Sequence, residues 1–471
     1  MMSNARISEL ERVMSVQYST IFDHIIDLSL SRQLRFGPSM SFAFWEEEMK
    51  RTTVGAFALV AGLAMPQAAL AETEITVWSW NIGASSLAID MPSFKEAHPD
   101  VTVVVEDLGV QQVFDRMLAA CAAGGAGLPD VVSVQNRRAE VFWSQFPDCF
   151  ADLEPLGFDD AMKAQFAPFK LPELQANERT YAMPWDSGPV VMFYRRDYYE
   201  NAGVDPASIV TWDDFIYAGL KVQEANDGVT MTQSSINGDP EFFEMIANEN
   251  GCSYFSDDAT AITLDAPACA EALDVVRKMD AADLITDGGW TEKIQSTVAG
   301  TVATHMYGGW YEGTIRTNAE DQSGLWGVFA MPSISEGGAR AANFGGSALA
   351  IAANSENTEI AFEFLKHKLA RPDSQVNMLM QYGLVPSLTT ALDTDFVQQP
   401  QEFWGGQAVW ADILKTLPVI KPSRGTPFYG DATAIMSAVQ IKYLNGGYDS
   451  ATDAVADAAQ QLSLATGLPV E

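Results

Sequence analysis

Two periodicities of hydrophobic and polar positions alternate along the first part of the chain. Ile75-Thr-Val-Trp78, Val101 to Val105 and Val131-Val-Ser-Val134 are short apolar or alternating runs that predict strands. Val113, Phe114, Met117, Leu118 and Cys121 recur at helical spacing, and Gly124-Gly125 stop that helix. Asn81 to Ser86 is predicted to be a loop after the first strand, followed by a helix that ends near His98-Pro99. Strands alternating with helices predict an α/β fold with a parallel, doubly wound sheet flanked by helices. Ligands of such sheets bind beyond the carboxyl ends of the strands. Trp80, Asn81, Gln135 and Asn136 occupy those ends.

In mid-chain the pattern changes. Tyr181-Ala-Met-Pro-Trp-Asp-Ser-Gly-Pro189 crowds Pro184, Gly188 and Pro189 together and predicts a turn, and Val190 to Tyr194 predicts a buried strand. A turn feeding a buried strand suggests a crossing between two lobes, a hinge lined by Trp185 and Asp186. Farther on, Thr211-Trp-Asp-Asp214 predicts a helix start in which Thr211 and Asp214 exchange hydrogen bonds, with Trp212 a packing residue. Asn237-Gly-Asp-Pro240 predicts a turn, Glu241 the start of an aromatic-bearing helix, and Asp265 to Ala282 another helix.

Val302 to Met306 reads as a strand running into Tyr307-Gly-Gly-Trp310. Its two glycines either let backbone come close to something or make a turn. Trp326 to Pro332 and Tyr382 to Pro386 are expected to be further crossings. Between them lie a loop and strand from Asn343 to Ala352, carrying Ser347, and a helix from Thr358 to Ala370 that Pro372 stops. The remainder reads as helical, with a loop at 421–427 before Phe428-Tyr429.

Composition narrows the class. At 47% hydrophobic the chain can bury a large core, and 471 residues suit two or three domains. The 62 acidic residues against 28 basic ones repel nucleic acid and anionic lipid, which excludes those partners. No phosphate loop or nucleotide fingerprint is present, so no cofactor is expected. His98, His305 and His367 lack metal-ligand spacing and read as structural.

Residues 49–71 have the form of a secretory signal peptide. Met49-Lys-Arg51 is its basic region, Val54 to Met65 its apolar region, and Ala69-Leu-Ala71 its small-x-small cleavage site. Residues 1–48 precede it. Trp45-Glu-Glu-Glu48 must be encoded by a purine-rich tract before the Met49 codon, which looks like a ribosome-binding site. Translation is therefore expected to start at Met49, leaving 1–48 as an upstream extension. The alternative keeps 1–48 as a tail on a membrane anchor. No lipobox cysteine follows the signal, so no lipid anchor is expected. Cys121, Cys149, Cys252 and Cys269 lie in the exported part without CxxC spacing, and an oxidising compartment favours disulfides. Three connectivities are open, and the near pairs Cys121–Cys149 and Cys252–Cys269 are preferred.

The order and spacing of several pieces resemble the extracellular sugar-binding proteins of bacterial ABC importers, the maltose-binding protein family. These pieces are Ile75-Thr-Val-Trp-Ser-Trp-Asn81, Leu128-Pro-Asp-Val-Val132, Tyr181-Ala-Met-Pro184 and Phe193-Tyr-Arg-Arg-Asp197. Thr211-Trp-Asp-Asp-Phe215, Gly308-Gly-Trp310 and Ala361-Phe-Glu-Phe-Leu365 complete them. The resemblance implies a two-lobed periplasmic binding protein fold of type II, a monomer, with a sugar held between the lobes. It places the first lobe at 72–185 and 333–384 and the second at 188–331 and 387–471, with crossings near 183–189, 328–334 and 383–388. It implies ligand contacts from Trp310, Tyr429 and a polar loop after the third strand, Gln135, Asn136 and Arg137, and a membrane permease of an ABC importer as partner.

The chemistry of a saccharide fits such a set. Its C–H face stacks on aromatic rings, and its hydroxyl rim needs planar polar groups. Trp80, Trp185, Trp310 and Tyr429 are candidates for the first role, and Asn81, Gln135, Asn136, Asp186 and Ser347 for the second. Two alternatives stand beside it. A secreted glycoside hydrolase needs a pair of carboxylates across the site, and only Asp186 is suitably placed. The same fold binding a polyamine or other cation would use tryptophans and Asp186 for cation–π and charge contacts.

Overall fold

The computed structural model describes residues 72–421 and 426–471. The signal-peptide and upstream-extension expectations, and part of the loop at 421–427, lie outside these residues. Thirteen strands are present among the described residues: β1 (Thr73–Ser79), β2 (Val101–Asp107), β3 (Val131–Gln135), β4 (Gln175–Ala176), β5 (Arg179–Thr180), β6 (Ala182–Ser187), β7 (Val190–Arg195), β8 (Thr230–Ser234), β9 (Ile285–Asp287), β10 (Val302–Gly308), β11 (Trp326–Ala330), β12 (Ser347–Ile351) and β13 (Val385–Pro386).

They form two large sheets and a two-stranded hairpin, β4-β5. The first sheet has the order β13-β6-β12-β3-β1-β2 and the second β11-β7-β10-β8-β9. Each has helices packed on it, so the fold is α/β and two-lobed. Each sheet is parallel along one side, β1 with β2 and β3 in one and β8 with β9 and β10 in the other. The sheets are nevertheless mixed: β12 runs antiparallel to β3 and β6, and β7 antiparallel to β10 and β11. The cause is the crossing chain. A segment arriving from the other lobe enters at the carboxyl ends of the parallel strands and must run back against them. Val190 therefore pairs with Gly308 and Ser347 with Gln135, first residue against last.

The stretch at 181–189 differs from its prediction. Ala182–Ser187 is a fully buried strand, not a turn. Pro184 is accommodated because the β6–β12 register shifts there, with Ser347 opposite Asp186 but Ala348 opposite Pro184. The bulge leaves Trp185 as the extra residue, at a place where proline's missing N–H is tolerated. The passages between sheets lie against each other at this point. The Phe344 N–H donates to the Gly188 carbonyl at 2.8 Å, and the Val190 N–H to that of Ala342 at 2.8 Å. Gly188 is required, because a Cβ there would overlap the Phe344 carbonyl. Ser333 pairs with Thr211, Asn343 with Pro189 and Leu388 with Phe166.

Local signals mostly act as expected. Thr211 and Asp214 form a reciprocal capping box on the helix Trp212–Ala225, and Trp212 is buried. The helix predicted before Gly124 spans Val110–Ala122, and that before Pro372 spans Thr358–Leu369. Two disulfides close the near pairs, Cys121–Cys149 and Cys252–Cys269, at S–S 1.98 and 2.05 Å. Two loops are helices instead. Asn81 begins the helix Asn81–Ala88 and Asn136 the helix Asn136–Gln145, each immediately after its strand.

Candidate functional site

The carboxyl ends of the parallel strands carry the polar candidates of the first lobe. Gln135, Ser347 and Asp186 are register neighbours across β3, β12 and β6. Asp186 is almost wholly buried, and its Oδ1 accepts the Ser347 N–H at 2.8 Å. Burial pushes its carboxyl up to about 6, against the pull of Lys170 and the Ser347 N–H. Lys170 is fully buried beside it, its ammonium driven below the ordinary lysine range by the same burial despite Glu173 and Asp186. Gly346, with φ +92°, passes so close that an added Cβ would lie 2.5 Å from Lys170 Nζ. Asn136 is fully buried at its helix start, and neither its Oδ1 nor its Nδ2 has a hydrogen-bond partner. A buried amide with both groups open is costly unless something else fills them.

The second lobe supplies an acidic and aromatic face after β8 and β10. Glu241 and Glu244 stand in the first turn of the helix Glu241–Asn250, which begins beyond β8. Glu241 contacts Lys293 and accepts the Tyr307 hydroxyl at 2.8 Å. Glu244 accepts the hydroxyls of Tyr429 (2.8 Å), Tyr254 (3.0 Å) and Thr433 (3.2 Å). Trp310 is partly buried between the apolar clusters of both lobes and donates its Nε1–H to the Phe344 carbonyl at 2.9 Å. Its ring stands edge-on to Tyr307 at 5.4 Å. Both glycines before it are close-approach residues: a Cβ on Gly308 would lie 2.5 Å from Trp310 Nε1, and one on Gly309 2.8 Å from Ile413.

Arg137 joins the two faces. It projects from the second residue of the helix Asn136–Gln145 in the first lobe. Its guanidinium lies 3.5 Å from Glu244, donates to the Tyr429 oxygen at 3.3 Å, and sits over the Phe344 ring at 5.1 Å. Burial opposes its charge, but Tyr429, Glu244, Asp239 and Glu241 outweigh that and hold it above the ordinary arginine range. Burial raises Glu244, with Arg137 as the main opposing influence. Beside this bridge lies a cavity of about 120 Å³ lined by Arg137, Glu244, Tyr254, Asn343, Phe344 and Tyr429 among others.

The structure thus gathers Arg137, Tyr429 and Trp310 around Phe344, and Gln135, Asp186 and Ser347 along the neighbouring sheet edge. Three candidates are placed elsewhere. Trp185 is 2% exposed; its indole packs on Gly83, its Nε1–H reaches the Met378 sulfur at 3.4 Å, and it belongs to the first-lobe core. The bulge at this position turns it inward, so its face is not free for stacking. Trp80 shares a small recess with Gln135, Arg138 and Phe114 on the flank of the helix Val110–Ala122. Asn81 is an exposed helix-start residue whose N–H is held by Asp107 Oδ1 at 2.7 Å.

Residues not anticipated from the sequence are Lys170, Asp239, Glu241, Glu244, Tyr254 and Phe344. Asp239 and Glu241 had a legible signal, the acidic Asp239-Pro-Glu241 turn and helix start. Lys170 had none. Among the described residues no group of His, Cys, Asp and Glu is arranged to hold a metal ion, and no helix is long and apolar enough to cross a membrane.

Residues 78–375 match the model of the family described as bacterial extracellular solute-binding protein. A lactose-binding protein of Rhizobium radiobacter is 30% identical over 381 residues, 79% of this chain and 88% of that protein. An arabinooligosaccharide-binding protein of Bacillus subtilis is 30% identical over 304 residues, 62% of this chain and 68% of that one. Among solved structures, the GacH receptor of Streptomyces glaucescens superposes with a TM-score of 0.70 at 19% identity, covering 83% of this chain and 98% of that chain. A binding protein associated with an ABC transporter of B. animalis subsp. lactis, solved with β-1,6-galactobiose, gives 0.69 at 22% identity, covering 83% and 96%. With a family match across most of its described length, and two α/β sheets whose strand ends face one another, the chain belongs to the bacterial extracellular solute-binding protein family.

Proposed function

We propose that this protein captures a saccharide between its lobes by hinge closure and delivers it to the permease of an ABC importer, acting as a monomer in the periplasm after export through residues 49–71. The hinge would be the three passages between sheets, from β6 to β7, from β11 to β12 and beyond β13. Ligand touching both lobes shifts the population toward the closed form. The relatives named above, which bind lactose and arabinooligosaccharides, supply the ligand class.

One observation carries the reading: the fully buried Asn136 amide, open at both polar atoms, stands next in sequence to Arg137, which reaches the aromatic face of the other lobe. A hydroxyl-rich ring fits that setting, since it both donates to and accepts from an amide and lays its C–H face on Trp310 or Tyr429. The polyamine alternative is weakened because Glu241 and Glu244 already face Lys293 and Arg137. The same pairings engage Glu241 and Glu244, which weakens the glycoside hydrolase alternative, and no catalysis is proposed. Thermal-shift and calorimetric titration of residues 72–471 with lactose, arabinobiose, galactose and spermidine test it. A melting rise with a saccharide supports the reading. A rise with spermidine alone refutes it.

A further inference from the structure

Trp290 takes no part in the arrangement described so far. It follows β9 through Gly288-Gly289, where the chain passes close to the Gln233 side chain. Because β8, β9 and β10 are parallel neighbours, Trp290 emerges at the same sheet edge as Asp239 and Trp310, which follow the other two. The residue is 42% exposed, and it is the one tryptophan among the strongly exposed large apolar residues of the described part of the chain.

Leaving that much indole in water forgoes burial that a core tryptophan would normally have. Its covered side explains how it is held. The ring centroid lies 6.0 Å from Trp310, 5.9 Å from Tyr311 and 6.5 Å from Tyr307. It opens the helix Trp290–Ala299, and one turn on, Lys293 is buried against Glu241 and Tyr307. The residue is anchored by these rings while much of it stays exposed, which suits a stacking platform.

Resting on the saccharide reading, we propose that Trp290 is an outer stacking platform continuous with Trp310, and that the ligand is therefore a glycoside of at least two rings. The inner ring lies on Trp310 and the next on Trp290. The two indoles are tilted by 41°, which suits successive sugar rings, since these are not coplanar across a glycosidic bond.

The test is calorimetric titration of wild type, W290A and W290F with galactose and lactose and with arabinose and arabinobiose. For the disaccharide that wild type binds, W290A is expected to weaken binding at least tenfold, with W290F recovering most of it. Any affinity for the matching monosaccharide should stay within twofold of wild type. Equal affinities of W290A and wild type for the disaccharide, or equal losses for both sugars, overturn the platform while leaving the saccharide reading standing. A wild type that binds monosaccharide alone also overturns it. Absence of binding to all four sugars removes both. Circular dichroism of W290A at the titration temperature confirms that an exposed side chain was changed without loss of fold.

Discussion

Arg137→Met removes the one ion pair that crosses between the sheets among the ion pairs of the described residues. At 3.5 Å the charges of Arg137 and Glu244 attract by about 5 kcal/mol at an effective dielectric of about 20. Both side chains are largely covered, 24% and 11% exposed, so desolvation cancels much of that attraction. A net of about 2 kcal/mol remains, in the range of hydrogen bonds to charged groups. The loss falls on the closed arrangement alone, because Arg137 and Glu244 come from different lobes and pair only where these meet. If ligand is held only when the lobes meet, affinity should fall about 30-fold, the equivalent of about 2 kcal/mol. Titration calorimetry with the saccharide that wild type binds measures it. The companion is Glu244→Gln and the double variant. Where Arg137 acts through Glu244, the second substitution adds almost nothing to the first; where Arg137 contacts sugar directly, the two losses add. An affinity for Arg137→Met within twofold of wild type refutes the bridge as a contributor to closure.

Three further outcomes are expected. Trp310→Ala should lower saccharide affinity at least tenfold, about 1.4 kcal/mol. It should also lower the melting temperature by a few degrees, since Trp310 packs on the cores of both lobes; wild-type affinity removes it from the site. Asp186 has a folded carboxyl near 6, above its unfolded value of 3.8, so the folded state holds more protons between those values and stability is lost as pH rises through that window. Asp186→Asn should flatten that part of a urea-denaturation pH profile, by up to about 3 kcal/mol for two pH units, and an unchanged profile refutes the assignment. Cys252→Ser with Cys269→Ser opens a loop of 17 residues and should cost about 3 kcal/mol in the chain-entropy picture, read as a lower denaturation midpoint; an unchanged midpoint refutes it.

Much of the fold was legible because its signals are local. The apolar runs that became β1, β3, β7 and β10 are dictated by neighbours along the chain, as are the Thr211–Asp214 capping box and the glycine and proline stops of two helices. Short spacing favoured the near disulfide pairs but left three connectivities open, and the fold closes those two pairs. Misreadings occurred where a tertiary partner overrode a local cue. Pro184 and Gly188 together look like a turn, yet β12 lies alongside and a bulge absorbs the proline. Asn81 and Asn136 look like loop residues, yet each strand passes straight into a helix. The sequence therefore determined the α/β class, the alternation of elements and the strand ends where a ligand can sit. The tertiary structure alone decided which side chains meet there. It buried Trp185, opened Trp290, and set Arg137 against Glu244 more than a hundred residues away. Such pairings depend on how two sheets approach each other, and no periodicity within one segment encodes the distance between two.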